Sequence, residues 1–190
     1  MSEVGHFLAR LVAALDAAGI PHMVAGSFAS TLHGVPRTTQ DIDVVVDPTP
    51  SSLGVLLAGL PAPDYYVSSD AARDALARRA MFNVIDVATG WKADLIILKA
   101  RPFSIEEFRR RVPTRMLDVD VFVATPEDTI LTKLEWSNLS GGSERQLRDV
   151  AGILQVLGAV LDVGYIERWA SKLGVEDAWR RMQGPDQDSP

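Results

Sequence analysis

The stretch RTTQDIDVVVD, Arg37 to Asp47, decides the fold. Its second half is the β-branched run of a buried strand, yet that run opens on two carboxylates separated by one isoleucine. Residues i and i+2 of a strand share a face, so Asp41 and Asp43 should point one way and Ile42, Val44 and Val46 the other. Two anions held side by side repel each other unless one is protonated or a cation bridges them. The pair predicts a divalent metal site at the mouth of a core strand.

Composition narrows what such a site can serve. The chain has 190 residues, 47% of them hydrophobic and 23% charged, the balance of a globular protein of one ordinary domain or two small ones. A formal charge of −6 argues against broad nonspecific nucleic-acid binding, which needs a basic surface. The densest basic cluster, Arg109, Arg110 and Arg111, has two readings. It is either a local RNA path or a solvated helix end favoured by the C-terminal dipole. With no cysteine there is no disulfide, thiolate nucleophile or Cys-zinc site. Neither a signal pattern nor a bilayer-length apolar run is present, so a cytoplasmic location with no membrane partner is expected.

The elements follow from period and punctuation. HFLARLVAALDAAG, His6 to Gly19, places Phe7, Leu8, Leu11, Val12 and Leu15 on one helical stripe. Pro21 to Ala25 is expected to be a short strand, followed at Gly26-Ser27 by a short helix to His33. The Asp41–Val46 strand comes next, then helices over 53–60 and 69–80. FNVIDV and KADLIIL flank a Thr-Gly turn and predict an antiparallel hairpin. Ser104 with Glu107 suggests a capping box opening a helix that Pro113 stops, and Val119 to Ala124 is a further strand.

From Thr125 the chain is expected to be helical. Thr-Pro-Glu-Asp at 125–128 is an N-cap with proline at the first helical position and acids in the first turn. Ser143 and Asp162 should cap two more helices, the latter ended by Gly174, and a fourth surrounds Trp179. The organisation expected is an α+β core over 1–124, a helical part over 125–183 closing a nucleotide cleft, and a flexible tail over 184–190.

Chemistry gathers around the paired aspartates. Gly26-Ser27 lies at a strand-to-helix junction, where a small backbone, free N–H groups and a hydroxyl suit phosphate oxygens. Asp94, embedded in KADLIIL, is the candidate third carboxylate of a two-metal phosphoryl-transfer site; Asp86, on the facing hairpin strand, is the alternative. Arg37 either pairs with a carboxylate or steadies the strand entry. Arg145 and Asp149, four apart, fit an ordinary surface ion pair, and Lys133 on an amphipathic helix fits a solvated lysine. The three histidines lack metal-ligand spacing, and the four tryptophans suit core or interface.

Gly-Ser, a short helix, R-x-T-x-D-I-D (Arg37, Thr39, Asp41, Asp43) and the later strand acid Asp94 resemble the nucleotidyltransferase superfamily related to DNA polymerase β. TPEDTILTKLEW and RQLRDVAGIL are further similar to a narrower group, bacterial nucleotidyltransferases akin to the AbiEii toxins of type IV toxin–antitoxin systems. The resemblance runs from Phe7 to Leu157. It implies a polymerase-β-like α+β fold, a mixed sheet flanked by helices with a helical C-terminal part. The implied activity is Mg²⁺-dependent, with Mn²⁺ as a substitute: an NMP moves from an NTP to a hydroxyl of tRNA, protein or a small molecule. Asp41, Asp43 and Asp94 would be catalytic and hold the metals; Gly26, Ser27, Arg37, Thr39, Lys133 and Asp149 would bind the nucleotide. An antitoxin protein is the partner that a toxin would imply. The competing class is an inactive relative that keeps the fold as a binding module.

Overall fold

The DIDVVV run forms β2, Asp41–Val46, and keeps its alternation: Ile42, Val44 and Val46 are buried while Asp41, Asp43 and Val45 are partly exposed. These and the following features come from a computed structural model, which describes residues 1–184; the tail expected over 184–190 lies outside the described residues from 185 onward. Contacts divide the chain into two compact units, Met1–Phe28 with Thr38–Ala124, and Ala29–Arg37 with the chain from Thr125 onward.

The first unit holds a seven-stranded mixed sheet. On one side β2 pairs in parallel with β5 (Lys92–Ile97), which pairs antiparallel with β4 (Met81–Asp86) and, beyond it, β3 (Tyr65–Tyr66). On the other side β2 pairs antiparallel with β1 (His22–Val24), then β7 (Val119–Val123) and edge strand β6 (Val112–Met116) follow. Its helices are α1 (Glu3–Ala17), α3 (Pro50–Ala58), α4 (Ser69–Arg78) and α5 (Pro102–Arg110). The buried stripe of α1 is the one expected: Phe7, Leu8, Leu11 and Leu15 are fully buried and Val12 nearly so. Helix α2, Gly26–His33, begins in this unit and ends in the other.

Two expectations fail here for identifiable reasons. No strand was expected over 112–116, because Pro113 signals a stop. As an edge strand, however, β6 tolerates a residue that cannot donate to a ladder. The β6–β7 turn uses Leu117 and Asp118 at φ 51° and 66°, left-handed conformations that a Gly or Asn would have advertised. The capping box at Ser104 and Glu107 does not form either. Helix α5 starts earlier, at Pro102 after Arg101, and Ser104 lies inside it accepting the Arg101 Nε–H at 2.8 Å.

The second unit is helical: α6 (Pro126–Leu139), α7 (Glu144–Leu157), α8 (Val163–Leu173) and α9 (Glu176–Gln183) join the end of α2. Thr125 caps α6 by accepting the Asp128 N–H at 3.2 Å. The first-turn acids do more than offset the dipole. Tyr165 Oη donates to Asp128 at 2.5 Å and the Asp162 N–H donates to Glu127 at 3.1 Å, tying α8 to α6. The segment after α2 belongs here because its backbone meets that of α7. A Cβ on Gly34 would lie 2.7 Å from the Ile153 nitrogen, so only glycine permits that approach. Among the described residues no helix is long and apolar enough to cross a membrane.

Candidate active site

Sheet register decides which charged residues meet. The parallel β2–β5 pairing sets Asp41 opposite Lys92 and Asp43 opposite Asp94. Partners in register share a face, so all four side chains project on the same side of the sheet. Farther along, that face is covered: Val45 packs on the cluster of Met23, Ala25, Phe108 and Ala124. The carboxylates thus occupy the end of β2 and β5 where the strands begin.

Lys92 sits among them. Its Nζ lies 3.4 Å from Asp41 Oδ1 and 3.2 Å from Asp94 Oδ1. Asn83, opposite Asp94 across the hairpin, donates its amide to the same carboxylate. Burial works against the ammonium, but the hydrogen bonds and charges of Asp94 and Asp41 outweigh it and raise the Lys92 pKa. Neither Lys92 nor Asn83 was picked out from the sequence. Lys92 was legible: applying to K-A-D the period of 2 already applied to D-I-D puts it beside Asp94. Asn83 depended on the hairpin register.

Gly26 and Ser27 abut the same place. The Ala25 N–H donates to the Asp43 carbonyl at 2.9 Å, bringing the turn into α2 against β2. Gly26 has φ +57°, and a Cβ there would fall 1.9 Å from Asp43 Oδ2. Any larger residue would displace the carboxylate. Ser27 is buried in the first turn of α2, and the Thr39 hydroxyl donates to the Asp41 carbonyl at 3.3 Å.

Asp86 lies apart. It belongs to the opposite face of β4 and is 1% exposed. There it accepts Arg10 Nη2 at 2.6 Å, the Thr89 hydroxyl at 2.9 Å and the Ala88 N–H at 3.2 Å. It is a structural acid closing the hairpin onto α1. Asp86→Asn should therefore cost about 1–3 kcal/mol of stability, seen as a lower melting temperature. Turnover per folded molecule should stay within a few-fold of the parent.

The remaining candidates belong to the second unit. Arg37 donates to Asp149 through Nε at 2.7 Å and Nη2 at 3.0 Å; Lys133 Nζ reaches the same carboxylate at 2.7 Å, and the Ser30 hydroxyl donates to it at 3.3 Å. The Lys133 and Asp149 side chains are each 5% exposed, so neither the solvated lysine nor the surface Arg145–Asp149 pair describes them. Burial pushes the Asp149 pKa up, but hydrogen bonds and charge from Arg37 and Lys133 prevail and lower it. Ser30 was missed; it follows Ser27 by almost one turn of α2. The arginine run is also engaged. Arg109 is held by both Glu106 oxygens, and Arg111 stacks between the rings of Phe108 and Phe122.

The donors fit a hard cation. Among the described residues no group of three or more His, Cys, Asp or Glu side chains is arranged to hold a metal ion. Mg²⁺ asks for none, since it keeps waters and takes one or two carboxylates together with substrate phosphates. The missing Cβ of Gly26 leaves the Asp43 carboxylate room for such an ion.

No family model matches the chain, and no curated protein matches it in sequence. Solved structures do match in fold. An antigenic nucleotidyltransferase-like protein from Paracoccidioides brasiliensis aligns with TM-score 0.64 at 16% identity, covering 97% of this chain and 89% of its own. ANT(2″)-Ia in complex with adenylyl-2″-tobramycin aligns with TM-score 0.57 at 15% identity, covering 97% and 100%. The lincomycin-bound lincosamide adenylyltransferase LnuA aligns with TM-score 0.55 at 10% identity, covering 82% and 98%. The chain has the α+β fold of the nucleotidyltransferases.

Proposed function

We propose that the chain is a metal-dependent nucleotidyltransferase, moving an NMP from an NTP to an acceptor hydroxyl and releasing pyrophosphate. The observation that carries this reading is the register pairing Asp43 with Asp94, which aligns both with Asp41 on one sheet face beside Gly26-Ser27. Asp43, with Asp41 and Asp94 beside it, would hold Mg²⁺, or Mn²⁺ in its place. The bound ion supplies positive charge to the phosphoryl oxygens and acidifies the attacking hydroxyl. The chain's residues supply position and protons. The N–H groups opening α2 and the Ser27 hydroxyl receive phosphate oxygens. Thr39 steadies the backbone at Asp41, and in the helical unit Asp149 holds Arg37 and Lys133, the further nucleotide-binding candidates. Asp94 accepts the proton of the acceptor hydroxyl. A bond then forms from that oxygen to the α-phosphorus as the bond to the β-phosphate oxygen breaks.

The acceptor we favour is a small hydroxylated molecule. The chain is acidic, its arginine run is occupied, and two fold neighbours carry a tobramycin adduct and lincomycin. A toxin role with an antitoxin partner rests on the sequence motif alone. Incubation with each α-labelled NTP, Mg²⁺, a panel of polyhydroxylated small molecules and tRNA separates the cases. Label in the small-molecule fraction is the expected result. Label confined to tRNA would replace that acceptor with RNA. No transfer from any NTP to any fraction would leave the fold as a binding module.

A further inference from the structure

Lys92 points to how many metal ions the site takes. The two-ion scheme would place one ion between Asp41 and Asp94 on the acceptor side, yet the ammonium of Lys92 already lies between those two carboxylates. Three constraints hold it there. Lys92 is the register partner of Asp41, it is two residues from Asp94 on the same strand, and Asn83 fixes Asp94 from the other side. A divalent ion entering that position would face an ammonium in contact with its own ligands. Asp43 is different: its carboxylate lies against Gly26, next to the phosphate-binding turn.

We propose that this is a one-ion site, in which Lys92 is a built-in cation standing for the acceptor-side metal and Asp43 anchors the single divalent ion that enters with the nucleotide. The inference rests on the nucleotidyltransferase reading. It makes Lys92 a positioning residue: its charge holds Asp41 and Asp94 together whether or not metal is bound, and keeps the Asp94 oxygen turned toward the acceptor hydroxyl. A tethered ammonium carries less charge than Mg²⁺ but needs no recruitment from solution.

The test counts metal without using activity. Mn²⁺ bound per chain is measured by electron paramagnetic resonance in the presence of α,β-methylene ATP, which binds without being turned over. The parent should hold one Mn²⁺ per chain, Lys92→Arg should also hold one, and Lys92→Met should hold two. Without metal, Lys92→Met should melt lower than the parent at low salt, because Asp41 and Asp94 then repel each other, and Mn²⁺ with the nucleotide analogue should restore most of the loss. Two ions in the parent, or one in Lys92→Met, would overturn the inference while leaving the transferase reading standing. No bound Mn²⁺–nucleotide in any of the three proteins would instead remove the reading on which it rests.

Discussion

Asp43→Asn should lower nucleotidyl transfer by roughly a factor of 10³, about 4 kcal/mol of transition-state stabilisation, while the chain stays folded. Asparagine keeps the shape that packs against Gly26 but loses the charge that would hold the ion. Stability without metal should be equal or higher, because one of several crowded negative charges is gone. Circular dichroism and a melting curve establish the fold, and initial rates over a range of Mg²⁺ concentrations measure the defect. The loss should appear in kcat together with a raised Mg²⁺ requirement, since Asp43 would hold the ion that meets charge developed in the transition state. A variant that transfers normally would remove Asp43 from the machinery.

Asp149→Asn should have the largest effect on stability. Asp149 receives Arg37, Lys133 and Ser30, and Lys133 is only 5% exposed. Neutralising the carboxylate leaves a buried ammonium facing an amide, a loss of about 3–5 kcal/mol in the helical unit. Its pH dependence has a definite sign. The Asp149 pKa is lowered from 3.8 in the folded chain, so its stabilising contribution is fully present above that value and fades as pH falls through the folded one. The gap between parent and variant, read from urea midpoints, should be constant from about pH 5 to 8 and shrink below about pH 4. A constant gap down to about pH 2 would mean that the loss comes from packing rather than from the ion pairs.

The legible part of the fold was what one-sided burial enforces. The alternation of β2 fixed the direction of Asp41 and Asp43 because a slip of one residue would drive Ile42, Val44 and Val46 out of the core. The Thr125 cap and the Asp162–Gly174 bounds of α8 were legible because each end carries its own capping chemistry. What escaped depended on partners far along the chain. Asp94 and Asp86 are equivalent on period alone; the register of β4 on β5 and the reach of Arg10 put them on opposite faces. Lys133 looked solvated because its partner, Asp149, lies on another helix and is shared with Arg37, 112 residues away. β6 escaped because a proline and a turn without glycine imitate a loop.

The most direct measurement follows the two ends of the triphosphate in one reaction. With Mg²⁺, an NTP and a competent acceptor, pyrophosphate release should equal α-label transferred, mole for mole. Both should vanish in Asp41→Asn/Asp43→Asn, whose melting temperature should no longer rise with Mg²⁺ and NTP. NDP release with γ-label on the acceptor, or full transfer by the double variant, would contradict the account.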